Sequence, residues 1–250
     1  MAKYVVSLKE LVHLGALYKF NGSNGSANTA FQADIGAEFA GASVDAYYSK
    51  VYSAITATSL TAAQVAQLPA LGYSVANSLA ATISDNTAYA LMALYKFDRL
   101  KVFAGYEYIW MNNPKNPLGV GASDQGGYFM SGVEDNNLDS EKLVNIWWTG
   151  AKYTYRSKTD FTFAWYQQRQ NDFRRPPTCA PGNFRASCAG TLNEGSFYLD
   201  HHFTKRFDGF AGIAYSWVSG GLDIAIPHGP GVPYNFPDNL APTIGGRFSF

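Results

Sequence analysis

Apolar and polar residues alternate singly along most of this chain, the period of an extended strand with two unlike faces. Val12 to Phe20 sets Leu14, Ala16, Tyr18 and Phe20 against Gly15 and Lys19. Thr29 to Phe39 sets Phe31, Ala33, Ile35, Ala37 and Phe39 against Gln32, Asp34, Gly36 and Glu38. Ser43 to Val51 places Val44, Ala46 and Tyr48 opposite Ser43, Asp45, Tyr47 and Ser49. Thr87 to Phe97 carries Tyr89, Leu91, Ala93, Tyr95 and Phe97 on one face and Lys96 on the other. Lys101 to Met111 carries Val102, Ala104, Tyr106, Tyr108 and Trp110 opposite Lys101, Gly105 and Glu107. Leu143 to Tyr155 and Asp160 to Gln170 form a hairpin about Arg156 to Thr159; Ala151, Tyr153, Tyr155, Phe161, Phe163 and Trp165 share the apolar side, and Lys152 and Arg156 point the opposite way. Ser196 to Thr204 sets Phe197, Leu199 and Phe203 against Tyr198, Asp200 and His202, and Gly209 to Trp217 aligns Ala211, Ile213, Tyr215 and Trp217. The last ten residues put Ile244, Gly246 and Phe248 opposite Thr243, Gly245, Arg247 and Ser249, and end on Phe250.

The pattern predicts ten strands whose connections alternate in length. Those from Phe39 to Ser43, Phe97 to Lys101, Arg156 to Asp160 and Thr204 to Asp208 are tight. Those between them, Tyr52 to Asp85, Asn112 to Glu141, Asn171 to Asn193 and Val218 to Leu240, are long, and the first contains a capping box, Thr61-Ala-Ala-Gln64, that predicts a short helix running to about Gln67 before Pro69. Short turns on one side of a sheet, long loops on the other and an apolar face rich in Tyr, Phe and Trp are the signature of an outer-membrane barrel.

Composition narrows the reading. Charged residues are 15% and aromatics 16% of the 250 residues. No segment approaches the roughly 18 consecutive apolar residues of a spanning helix; a chain of this kind that crosses a bilayer does so as a barrel. The formal net charge is zero with no Lys/Arg block, which gives a nucleic-acid partner no electrostatic support. The N-terminal segment lacks the apolar core and cleavage site of a signal peptide. Cys179 and Cys188 lie close together in a Pro/Gly-rich loop and read as a local disulfide in an oxidising compartment, contributing roughly 2.7 kcal/mol at most.

The closing strand with its terminal Phe250 resembles that of Gram-negative outer-membrane β-barrels. Leu14-Gly-Ala-Leu-Tyr-Lys-Phe20, Leu79-Ala-Ala-Thr-Ile-Ser-Asp-Asn-Thr87, Val102-Phe-Ala-Gly-Tyr-Glu-Tyr-Ile109, Trp148-Thr-Gly-Ala-Lys-Tyr153, Phe203-Thr-Lys-Arg-Phe-Asp208 and Gly245-Gly-Arg-Phe-Ser-Phe250 are similar to stretches of the general trimeric porins of proteobacteria. The resemblance implies an all-β, antiparallel transmembrane β-barrel of sixteen strands as a single domain, a homotrimer in outer-membrane lipid, and passive diffusion of ions and small hydrophilic solutes. It implies further that the chain is the carboxy-terminal part of such a protein, that Lys3 to Val6 end a preceding strand, and that the loop narrowing the pore lies before Met1. The wall charges become pore-lining candidates: Lys19, Lys96, Lys101, Lys152, Arg156 and Arg247 against Asp34, Glu38, Asp45, Glu107 and Asp200. Six cations against five anions does not decide ion selectivity.

Other chemistry is weakly supported. His201 and His202 face opposite sides of a strand and cannot share a metal, and their role reads as structural or solvated. Asp34 and Glu38 are roughly 13 Å apart along a strand, too far for a paired-carboxylate hydrolase. No nucleophile elbow, metal-ligand cluster or phosphate-binding glycine loop is present, so neither catalysis nor a cofactor is expected. Two other readings stand beside the porin. An outer-membrane enzyme needs Ser, His and Asp converging at the rim, where the loops offer Asp85 and His228. A soluble all-β binding protein needs a second sheet over its apolar face.

Overall fold

A computed structural model of the chain describes residues 1–8, 11–20, 29–59, 62–67, 69–71, 79–115, 121–125, 128–135, 138–173, 187–224 and 238–249. Its strands are β1 (Ala2–Leu8), β2 (Val12–Lys19), β3 (Ala30–Phe39), β4 (Ala42–Ser59), β5 (Leu79–Phe97), β6 (Leu100–Asn112), β7 (Gly121–Gln125), β8 (Tyr128–Asp135), β9 (Lys142–Tyr155), β10 (Thr159–Gln170), β11 (Gly190–His202), β12 (Phe207–Gly220) and β13 (Asp238–Phe248). Short helices α1 (Ala62–Gln67) and α2 (Gly221–Ile224) and a 3-10 turn (Pro69–Leu71) lie in the connections. Eleven strands form one antiparallel path, β1-β2-β3-β4-β5-β6-β9-β10-β11-β12-β13. Ten antiparallel steps separate its edges, so β1 and β13 run in the same direction.

Alternation explains the sheet. Residues in register share a face, and the row Tyr48, Tyr89, Tyr108 crosses three strands on the apolar side. On β6 that face runs from Leu100 to Trp110; at about 3.4 Å per residue and a tilt near 45° this is roughly 25 Å, the height of a barrel's apolar band. Aromatic rings line it: Phe31, Tyr48, Tyr89, Trp110 and Tyr108 follow one another with centroids 5.0 to 6.1 Å apart. Among the described residues only Ile83, Leu138, Val144, Ala164 and Cys188 form a buried apolar set, and no second layer covers the apolar face. Phe31, Tyr89, Phe163 and Phe248, which a soluble sandwich would pack together in a dry core, are 41%, 47%, 52% and 56% exposed. Such a surface marks contact with a membrane or with another protein.

The structure corrects several boundaries. The strand ending at Lys3 to Val6 is β1, a full strand paired with β2. The long connection from Tyr52 to Asp85 is shorter, because β4 and β5 continue past a bulge between Val51 and Ala54 and pair again from Ala54–Ser84 to Ser59–Leu79. At the bulge Ser53 takes a φ of 51°, and its N–H donates to Asp85 Oδ1 at 2.8 Å. Asp85 Oδ2 also accepts the N–H of Lys115 at 3.2 Å, which ties the base of this extension to the next loop. The long loop from Asn112 to Glu141 contains the hairpin β7–β8, and β8 pairs parallel to the upper half of β5. The cysteine loop ends earlier, with β11 starting at Gly190. The helix after Thr61 is present as α1. Ala40 and Gly41, with φ of 49° and 83°, make the mirror-image turn whose twist suits a hairpin.

Cys188 is fully buried and disulfide-bonded, while Cys179, its expected partner, lies outside the described residues, as does Phe250. Beside Cys188 the Asp172 carboxylate gathers three donors, the Ser187 hydroxyl at 2.6 Å and the N–H groups of Ala189 and Cys188. The Ser187 hydroxyl and these amides hold the Asp172 carboxyl below the usual carboxylate range. On the polar face of the sheet bulky residues lie over cross-strand glycines: Trp148 faces Gly105 and Phe103 faces Gly150, each in direct register between β6 and β9. A Cβ at Gly105 would fall within the Trp148 indole. The glycines let both rings lie flat against the wall.

Gly105→Ala should therefore destabilise the sheet by about 1 to 3 kcal/mol, and by much less in a Trp148→Ala background; equal costs in both backgrounds, read by thermal unfolding, would refute the contact. A carboxyl with a depressed folded-state pKa stabilises above its unfolded value and stops doing so as pH falls through the lower one. Hydrogen-exchange protection of the Cys188 and Ala189 amides should hold at neutral pH and fall below about pH 4; Asp172→Ala should lower it at every pH and abolish the pH dependence.

Candidate functional site

The polar face collects the chain's wall charges, and the register shows which meet. Asp34 on β3 lies in one row with Gly15 and Tyr47. Asp45 on β4, opposite Gly36, accepts from the Ser43 hydroxyl at 3.1 Å and lies 2.9 Å from His13 Nε2 on β2. Glu38 pairs with Ser43, Glu107 lies between Ala90 and Ile146, and Lys19 ends β2 opposite Ala30. Lys96, Lys101 and Lys152 stand in direct register across β5, β6 and β9. Like charges so placed repel, and among the described residues neither Lys96 nor Lys101 has an ion-pair partner.

From Lys152 onward the charges compensate one another over five strands. Lys152 Nζ contacts Asp160 Oδ2 on β10, whose Oδ1 accepts from the Thr154 hydroxyl at 2.7 Å. His202 on β11 bridges two carboxylates, with Nε2 3.6 Å from Asp160 Oδ2 and Nδ1 2.7 Å from Asp208 Oδ1 on β12. Arg247 on β13 donates to Asp208 Oδ2 from Nε at 3.0 Å and from its terminal nitrogen at 2.6 Å, and reaches Asp200 Oδ2 at 3.6 Å. Asp160 and Asp200 directly oppose each other. Lys152 and Arg247 flank that pair from either side and offset its repulsion.

Asp160, Asp208 and His13 thus belong to the polar-face network without being among the pore-lining candidates, and His202, which the alternation already turns to that face, joins them. Asp160 and Asp208 sit one or two residues past tight turns, on the parity of Lys152 and Asp200, and that parity is the signal that finds them. Arg156, selected as a wall residue, lies in the β9–β10 turn with a φ of 48°, its guanidinium 5.1 Å over the Tyr155 ring.

Asp200, His202 and Asp208 bring ligand-type atoms within 4.8 Å of one another and could offer a metal a three-group site. The Arg247 guanidinium spans both of those carboxylates and already supplies the positive charge a cation would bring. A hydroxyl–imidazole pair, Thr159 Oγ1 and His201 Nδ1 at 2.8 Å, lies on the apolar face with Phe203 packed edge-on against the ring. No carboxylate orients that imidazole among the described residues, so the pair lacks the third group of a nucleophile–base relay. The geometry is that of a charged, hydrogen-bonded sheet face.

No family model matches the chain, and no curated protein matches it. Among solved structures it is similar to in-vitro folded OmpT, an outer membrane protein of Vibrio cholerae, with a TM-score of 0.61 and 12% identity over 98% of this chain and 62% of that one. It is similar to an anion-selective porin from Comamonas acidovorans, with a TM-score of 0.59 and 11% identity over 99% of this chain and 58% of that one. The chain spans about three-fifths of the length of these proteins. At such identity the likeness shows the fold alone, an all-β antiparallel sheet of the outer-membrane β-barrel type.

Proposed function

We propose that the protein is an outer-membrane porin, a water-filled channel for passive diffusion of ions and small hydrophilic solutes in a Gram-negative bacterium. The observation that carries this reading is the unlikeness of the two faces of one uncovered sheet across eleven strands: apolar and aromatic on one side, charged and hydrogen-bonded on the other. In lipid every strand edge must be paired. Because β1 and β13 run in the same direction, an all-antiparallel closure requires an odd number of further strands, and five would complete the sixteen that the porin resemblance implies. The likeness to a Comamonas porin supports the same reading. On this reading the protein catalyses no reaction, the homotrimer is its assembly, and solutes pass along the face bearing Lys96, Lys101, Glu107 and the chain from Lys152 to Arg247.

In planar lipid bilayers the protein should give stepwise, ohmic conductance that grows with salt concentration. Inserted, β-rich protein that conducts nothing would refute the porin. Replacing Lys96 and Lys101 with Glu should shift the reversal potential in a salt gradient toward cations, while the same change at Thr149, on the apolar face, should impair insertion. An unchanged reversal potential would place the lysines outside the lumen.

A further inference from the structure

The short turns of the sheet are basic. Arg99, Arg156, Lys158, Lys205 and Arg206 occupy them against Asp98, and Lys9 and Glu10 cancel in the first turn. The connections at the opposite strand ends have the reverse balance: segments 113–141, 171–189 and 221–237 together hold seven acidic and four basic residues. The charged groups of Lys158, Lys205 and Arg206 have no ion-pair or hydrogen-bond partner among the described residues. They stand at the edge of the apolar band, next to the exposed rings of Tyr155, Phe203 and Phe207.

A cavity of about 540 Å³ opens between the β9–β10 and β11–β12 turns, where Lys158, Lys205, Thr204 and the ring of Phe203 on the apolar face meet the polar-face residues His202 and Asp208. The turns are fixed in place: His202 N–H donates to the Lys158 carbonyl at 2.8 Å, and Thr204 Oγ1 accepts the N–H groups of Arg206 and Phe207 at 3.1 and 3.0 Å. The Asp208 carboxylate is engaged by His202 and Arg247, so the two lysines give the cavity its uncompensated charge.

We infer that this rim is a docking surface for the phosphate groups of anionic phospholipids in the leaflet on the short-turn side, centred on Lys158 and Lys205. The inference rests on the membrane-spanning reading above. Unpaired cations beside an aromatic girdle are where a lipid can lay its acyl chains on the rings and its phosphate on the ammonium groups. A free anion would use the charge but not the rings, and the junction of the two favours the lipid.

The test is native mass spectrometry of the protein released from vesicles of equal parts phosphatidylcholine and phosphatidylglycerol. The protein should retain phosphatidylglycerol preferentially, and replacing Lys158, Lys205 and Arg206 with Gln should reduce that retention about fivefold for each charge removed, with circular dichroism unchanged. Glycerol phosphate at the lipid's own concentration should not displace the lipid. Protein that inserts but shows no headgroup preference, a triple variant that retains as much as the parent, or displacement by glycerol phosphate would each overturn the lipid site while leaving the porin reading intact. Protein that inserts into neither phosphatidylcholine nor the mixed vesicles would overturn both. Should the triple variant misfold, Lys158→Gln alone must still show the fivefold loss, and its absence counts against the site.

Discussion

Cross-strand backbone hydrogen bonding holds this molecule together, because little else does. Each of the eleven strands on the main path bonds its neighbours, and among the described residues almost no apolar side chain is buried behind the sheet. In water a single-layer sheet with such a face would associate through it. In a bilayer the same hydrogen bonds gain value, since hydrocarbon offers the backbone no alternative partner. The large exposed residues then cease to be a liability and become the solvent-facing surface of a membrane protein.

With one face apolar and exposed, the other manages charge without a core. It does so by register. Lys152, Asp160, His202, Asp208, Asp200 and Arg247 interlock across five neighbouring strands, so carboxylates that would repel are bridged by cations along the wall. Lys96 and Lys101 stay outside this compensation. Aromatic residues on the same face, Trp148 and Phe103 among them, are laid over glycines, which keeps their bulk close to the sheet.

The strands of the main path were legible in the sequence, because an apolar and a polar face on one sheet force a period of two. The tight turns and helix α1 were legible for equally local reasons, a glycine turn between Phe39 and Ser43, which the structure centres on Ala40-Gly41, and a capping box at Thr61. Beyond the bulge at Ser53 the two-faced pattern ends. Ile83 and Ser84, on opposite parities, are both buried there, as is Asp85 at the bulge, so alternation disappears and the extension of β4 and β5 with the β7–β8 hairpin left no periodic trace. The wall network was half visible: Lys152, Asp200 and Arg247 were marked by parity. Asp160 and Asp208 hid at turn edges, and His202 acquires its bridging role only from strands distant in sequence.

On the membrane-spanning proposal, one parity of each strand meets lipid and the other meets water. Nitroxide labels placed singly along β5 in bilayers, at Tyr89, Leu91, Ala93 and Tyr95 and then at Ala90, Met92 and Leu94, test it most directly. The account predicts that the first set is relaxed by oxygen dissolved in the lipid and the second by an aqueous nickel chelate. Equal accessibility of the two sets, or protection of both from either reagent, would contradict it.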